Sequence, residues 1–241
     1  MIPKIIHYCW FGGNPMPKMA RKCIASWKKY CPDYKIIEWN ETNFDINFCD
    51  YVCEAYEAEK WAFVSDVARL YALVNYGGIY MDTDVEVLKP LDDLSEYEAV
   101  SGFETKDKIA AGLMTCCKEH PMFKEFLDEY SSIHFIKMNG EFDLTTIVTR
   151  ITNICLKYGL QLNNQKQIVN GLTLFPTEYF YPKDCCTGAL SLTSNTYAIH
   201  YYEGSWLPFS SKVKVKFKQL LGPKLTEWIV LRKRKLGRSV K

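Results

Sequence analysis

The chain has 241 residues, of which 48% are hydrophobic, 24% charged and 15% aromatic, with a net charge of +2. These proportions exclude a disordered, collagen-like or coiled-coil chain and fit one large globular domain, or one domain with an appendage. The charge is unevenly spread: eight Lys, three Arg and one Glu between 212 and 241 give +10, which leaves −8 on the remainder. An acidic body with a basic tail points to a tail that meets an anionic surface.

Residues 4–10 form a short apolar run that reads as a buried strand, closed by the turn cluster Phe11-Gly12-Gly13-Asn14-Pro15. Over 17–30 a stripe of Met19, Cys23, Ile24 and Trp27 predicts a helix, ended at Pro32-Asp33, and 34–39 reads as the next strand. Strand, helix, strand is the repeating unit of a parallel sheet, so the class is α/β. Residues 41–60 read as helix, on an ambiguous pattern. The clearest helix is 60–76, followed by the C-terminal stop signal Gly77-Gly78. Ile79-Tyr80-Met81 is a short strand running into Asp82-Thr83-Asp84, and 85–88 continues extended. Strands follow at 99–103 and 110–116, helices at 121–131 and 145–158, strand and loop at 173–181, and a short strand at 196–200.

The opening Met1-Ile2-Pro3-Lys4 runs into the first strand with no apolar leader core, and no run of 18 apolar residues occurs. Neither a secretory leader nor a membrane span is expected. The ten Cys contain no C-x-x-C pair, and the adjacent pairs Cys116-Cys117 and Cys185-Cys186 are poorly placed for bridging. Reduced, mostly buried thiols in a cytosolic protein are expected, without zinc.

Asp82 and Asp84 lie two apart on an extended segment, so both carboxylates project to one face and can hold a divalent cation through oxygen. Mg²⁺ or Mn²⁺ suits such ligands and bridges to a diphosphate. In the preceding helix Asp66 and Arg69 are three apart and share a face. Their neighbours Phe63, Val64, Val67 and Leu70 are apolar, so this Asp and Arg are expected to be buried and to need partners. Sugar hydroxyls can serve, since carboxylate accepts and guanidinium donates.

The run Ser65-Asp66-Val67-Ala68-Arg69 to Gly77-Gly78-Ile79-Tyr80-Met81-Asp82-Thr83-Asp84 resembles the S-D-x-x-R…G-G-x-Y-x-D-x-D signature of the DXD sugar transferases, glycosyltransferase family 32. Ile2-Pro3-Lys4-Ile5-Ile6-His7-Tyr8-Cys9-Trp10-Phe11-Gly12-Gly13 resembles that family's first strand and nucleotide loop. His200-Tyr201-Tyr202-Glu203-Gly204-Ser205-Trp206 resembles its closing H-x-x-x-G-S-W element. The resemblance implies a single GT-A-type nucleotide-sugar-binding domain with a mostly parallel central sheet over 1–210. The basic amphipathic helical tail over 211–241 lies beyond it.

Carried over residue by residue, Trp10 flanks the base and Asp66 and Arg69 contact the donor sugar. Asp82 faces the ribose and the metal, Asp84 and His200 bind the metal, and Ser205 and Trp206 touch the diphosphate. His7 is expected in the core or behind the contacting residues, and Tyr80 under the metal site. The resemblance further implies an anomer-retaining transfer of a hexose or N-acetylhexosamine from a nucleotide diphosphate sugar, preferably a UDP-sugar, in capsular or lipid-linked polysaccharide synthesis. A GDP-mannose-dependent mannosyltransferase, a metal-dependent hydrolase and a non-catalytic nucleotide-sugar-binding scaffold remain alternatives. Ala110 and Ala111 depart from the pattern, standing where many relatives carry a polar residue, often Asn, so no ligand contact is assigned to that segment.

In the tail, Phe217, Leu220, Leu221, Leu225, Trp228 and Ile229 fall at helical spacing among Lys and Arg. Docking on an anionic membrane surface is expected, with a glycan or lipid-linked oligosaccharide as acceptor and a cytoplasmic location on the inner face of the membrane. The alternative is a helix packed on the domain. Nucleic acid is not expected as a partner, because the basic patch is terminal rather than spread over a fold.

Overall fold

A computed structural model describes residues 1–204. The tail over 211–241, the end of the 1–210 domain, and Ser205 and Trp206 therefore lie outside the described residues.

In chain order the elements are β1 (Ile5–Cys9), α1 (Lys18–Tyr30), β2 (Lys35–Trp39), α2 (Asp50–Glu57), α3 (Trp61–Tyr76), β3 (Gly78–Met81) and β4 (Val85–Val87). Then come β5 (Ala99–Thr105), β6 (Lys108–Ile109), β7 (Leu113–Cys116), α4 (Pro121–Asp128), α5 (Ile147–Lys157), β8 (Gln167–Val169), β9 (Leu172–Phe175), α6 (Thr177–Phe180) and β10 (Ala198–His200). The main sheet has the order β2-β1-β3-β7-β5-β9-β8, with β6 paired to β5, while β4 and β10 form a separate antiparallel ribbon. The α/β class holds. Five of the seven strands on the main path run one way, and β7 and β8 are reversed.

Alternation along the strands sorts side chains into two cores. Tyr80, Ala99 and Met114 face the layer of α2, α3, α4 and α5, where Val64, Val67, Leu70, Phe123 and Ile151 are buried. Ile6, Ile79, Val100 and Leu113 face the opposite layer, made by Trp27 of α1, Val85 and Val87 of β4, Phe180 of α6 and Ala198 of β10. Each fully buried aliphatic side chain contributes roughly 1.5–3 kcal/mol.

The 41–60 stretch is only part helix, α2 accounting for eight of its residues. The strand expected over 110–116 begins at Leu113, and the 173–181 segment splits into β9 and the short α6. β8 is three residues long with no clear alternation, so its sequence gives no strand signal.

Gly77 and Gly78 terminate α3 for a physical reason. Their φ values are +66° and +105°, and an added Cβ would meet the Lys118 nitrogen at 2.7 Å and the Ile5 oxygen at 2.6 Å, respectively. Only glycine permits α3 to reverse into β3 so close to β1. His7 locks the same corner: its Nε2 lies 2.8 Å from the Gly77 oxygen, and Trp39 Nε1 donates to its Nδ1 at 3.1 Å. Burial pushes its pKa down to about 4 against the pull of the Gly77 carbonyl, so His7 is a neutral core residue.

Candidate active site

β1, β3 and β5 all end at one edge of the sheet, the edge where open α/β sheets place their ligands. Asp82 follows β3 directly, and its backbone N–H donates to the Gly112 oxygen at 2.8 Å just ahead of the reversed strand β7. Thr83 and Asp84 lead into β4, which pairs Val85 with His200 of β10. The ribbon thus brings His200 back over the triplet from the far end of the described chain.

The carboxylates and the imidazole converge. Ligating atoms of Asp82, Asp84 and His200 lie within 4.8 Å of one another. His200 Nε2 is 3.1 Å from Asp84 Oδ1 and 3.9 Å from Asp82 Oδ2. Asp84 Oδ2 accepts the Glu203 N–H at 2.8 Å, and its backbone oxygen accepts that of Tyr201 at 3.0 Å. One residue therefore ties the incoming 200–203 segment to the site. Burial opposes the charge on His200, but Asp84 and Asp82 outweigh it and push its pKa up to about 9. Burial likewise opposes ionisation of Asp84, while His200 and the Glu203 N–H hold its pKa below the usual carboxylate value.

Arg69 forms the other half. Its guanidinium reaches Asp66 Oδ1 at 3.0 Å and Asp82 Oδ1 at 3.1 Å. It also donates to the Ala111 oxygen at 3.0 Å and the Ser65 oxygen at 3.2 Å, and it lies 4.6 Å from the centre of the Tyr80 ring. Four of its five N–H groups are therefore engaged within the protein. Tyr80 donates its hydroxyl to Asp82 Oδ1 at 2.9 Å, leaving Oδ2 toward His200. Burial pushes the Asp66 carboxyl up to about 7; Arg69 opposes the shift, Asp82 adds to it, and the Ile147 N–H at the start of α5 opposes it.

Asp66, Arg69, Asp82, His200 and Asp84 thus form one continuous chain of contacts. Trp10 sits one residue past β1 at the same sheet edge, half-buried, with its Nε1 donating to the Asn14 oxygen at 2.6 Å.

Three further contributors carry no sequence signal. The Ala110-Ala111-Gly112 segment takes part through its backbone, which side-chain chemistry does not reveal. A Cβ on Gly112 would lie 3.0 Å from Asp82 Oδ2 and 3.2 Å from His200 Nδ1, so the glycine makes room for the cluster. Glu104, at the end of β5, is pushed up by burial against the charges of His200 and Lys108, with Asp82 adding to the rise. No local pattern marks it. Tyr181 braces the start of β7, its hydroxyl oxygen accepting the Leu113 N–H at 2.7 Å.

Two carboxylate oxygens and one imidazole nitrogen suit a divalent cation of the Mg²⁺ and Mn²⁺ type. The donors fit. Among the described residues the buried His200 Nδ1 has no hydrogen-bond partner, so no such bond holds the far side of the ring there, and its Nε2 already points to both carboxylates.

Residues 17–101, which include Asp66, Arg69, Asp82 and Asp84, match the family described as glycosyltransferase sugar-binding region containing DXD motif. The likeness to that family covers this stretch of the chain. Inositol phosphoceramide mannosyltransferase 3 of Schizosaccharomyces pombe is 31% identical over 128 residues, 50% of this chain and 35% of that protein. The chain thus spans about a third of that relative's length. The uncharacterized glycosyltransferase L373 of Acanthamoeba polyphaga mimivirus is 26% identical over 239 residues, 90% of this chain and 88% of the viral one. Among solved structures, a galactosyltransferase in complex with donor and acceptor sugar analogues aligns with 90% of this chain and 94% of its own, at 15% identity and a TM-score of 0.44.

Proposed function

We propose that this chain transfers a hexose from a nucleotide diphosphate sugar to a glycan or glycolipid acceptor, with a divalent cation held by Asp82, Asp84 and His200. The observation that carries this reading is the convergence with His200, within 4.8 Å, of two carboxylates that lie in the stretch matching the DXD family. When bound, the cation would supply charge neutralisation for the departing diphosphate.

The chain's own groups do the rest. Arg69 fixes Asp82 by one oxygen and orients the other toward the cluster. Asp66, whose carboxyl titrates near neutrality, accepts hydrogen bonds from hydroxyls of the donor sugar, and the remaining N–H of Arg69 donates to them. Trp10 flanks the base at the sheet edge. For Ser205 and Trp206, which lie outside the described residues, the family resemblance implies contact with the diphosphate. Retention of the anomeric configuration follows from attack on the face the leaving group vacates.

Two donors compete. The family resemblance fits UDP-sugars and GDP-mannose alike, with a UDP-sugar preferred from the sequence. Several relatives, mannosyltransferases of Schizosaccharomyces pombe and a mannosyl phosphorylinositol ceramide synthase of Saccharomyces cerevisiae, favour mannose and hence a GDP-sugar. A thermal-shift screen against UDP, GDP, CDP and TDP, each with and without Mn²⁺, decides between them, since a ligand of the folded state raises the midpoint by mass action. One nucleotide stabilising only with the metal is expected. If none does at millimolar concentration, the donor site is not there.

A further inference from the structure

The β4–β10 ribbon has two ends. One carries Asp84 and His200; at the other, Leu88 N–H donates to the Tyr197 oxygen, three residue pairs and roughly 10 Å of extended chain away. A cleft of about 430 Å³ opens there, separate from the metal cluster.

Four rings of its lining form a continuous wall. Tyr97 meets Phe175 edge-on at 5.5 Å between centroids, Phe175 meets Tyr179 at 4.6 Å, and Tyr179 stacks on Tyr197 at 6.3 Å with 17° between the planes. The polar rim is balanced. Lys89 and Lys166 are matched by Asp93 and Glu96, so the lining carries no net charge among the described residues. Lys89 donates to the Ser194 oxygen with its ammonium 3.8 Å from the centre of the Tyr197 ring, and Lys166 donates to the Tyr97 hydroxyl with its ammonium 4.8 Å from the centre of Phe175 and 5.1 Å from that of Tyr97; neither makes an ion pair among the described residues. Asp93 accepts from the Tyr197 hydroxyl, and Asn195 donates to Glu178, leaving its own amide oxygen available. The Glu96 carboxylate and the Tyr179 hydroxyl have no hydrogen-bond partner among the described residues.

An anion would meet Asp93 and Glu96, and a cation would meet the two lysines. A neutral polyol meets neither penalty: its hydroxyls both donate and accept, and the C–H face of a pyranose can pack on Tyr179, the ring of the four with no ammonium over it among the described residues. We infer that this cleft is a subsite for a neutral pyranose, an outlying sugar residue of the acceptor glycan, held apart from the reacting centre. The acceptor assignment rests on the transferase reading above; the sugar site itself rests on the cleft alone.

The test is saturation-transfer NMR and calorimetry on the full chain with methyl α-mannopyranoside, methyl β-galactopyranoside and glucose 6-phosphate, in EDTA and without nucleotide. At least one neutral glycoside binds at millimolar concentration, equally to the parent and to Asp84→Ala. Tyr179→Ala and Glu96→Ala each weaken it roughly fivefold. The Glu96 side chain is exposed and makes no hydrogen bond among the described residues, so its replacement leaves the fold intact. The inference is overturned if no neutral glycoside binds, if Asp84→Ala abolishes binding while both cleft variants retain it, or if glucose 6-phosphate binds the cleft more tightly than the neutral sugars. Because nucleotide is absent, a failed nucleotide screen and a failed sugar titration are separate results.

Discussion

The two aspartates of the triplet are held by different kinds of structure. Asp82 belongs to the main sheet: Tyr80, two residues earlier, and Arg69, one helix earlier, both grip its Oδ1. Asp84 belongs to the ribbon, and its carboxylate is held by His200 and by the Glu203 N–H, both far downstream. The side-chain grip on Asp82 Oδ1 therefore comes from one stretch of chain, with the Ala111 and Gly112 carbonyls completing it from the neighbouring strand's approach. The Asp84 side exists only when the end of the described chain returns to it. The difference implies that Asp82 is set by the main sheet, whereas Asp84 and His200 are set by the pairing of the ribbon.

That contrast can be broken most sharply at Arg69. Replacing it with Met strands Asp66 and Asp82 beside an apolar side chain, and removal of one partner from a buried ion pair costs about 3–5 kcal/mol. Denaturant unfolding should show that loss, and a variant of parental stability would mean the guanidinium is not the keystone of the Asp82 side. On the other side, Asp84→Ala should leave the main sheet folded, as read by circular dichroism, and lower metal-dependent turnover of the donor by about 10²–10³-fold. Unchanged turnover would remove Asp84 from the site.

Gly112→Ala probes the seam between the halves. The new methyl group presses on Asp82 Oδ2 and on His200, and overpacking of this kind costs about 1–3 kcal/mol. Mn²⁺ affinity, measured by calorimetry, should fall while the melting midpoint in EDTA changes less. The pH dependence of metal binding sharpens the comparison further. His200 is held protonated up to about pH 9, so a cation must displace that proton. Apparent Mn²⁺ affinity should therefore rise roughly tenfold per pH unit below about 9 and level off above it. His200→Gln should flatten the profile. The smallest effect belongs to Tyr80→Phe, which removes one of the two hydrogen-bonding partners of Asp82 Oδ1 and should cost about 0.5–1.5 kcal/mol of stability in the same unfolding experiment.

Much of the Asp82 side is legible in the sequence, because its signals are local. The apolar neighbours of Asp66 and Arg69 mark a buried helix, Gly77-Gly78 marks its end, and the i, i+2 spacing of Asp82 and Asp84 sets them on one face of an extended segment. Each follows from the period of a helix or strand and from the freedom of glycine, which the chain carries in its own order. The pairing of His200 with the triplet is readable only through family resemblance, since its partner strand lies far back along the chain.

Other features were decided by tertiary structure alone. His7 reads in sequence either as core or as a support behind the site, and it is the Gly77 carbonyl and the Trp39 indole that make it a neutral strut in the core. Ala111 and Gly112 read as inert, yet their carbonyls hold Arg69 and Asp82, and the missing side chain of Gly112 gives the cluster its space. A sequence determines periodicity, turn chemistry and which groups are available. Which backbone oxygen faces which guanidinium, and which pKa values then move, depends on distances between segments that only packing sets.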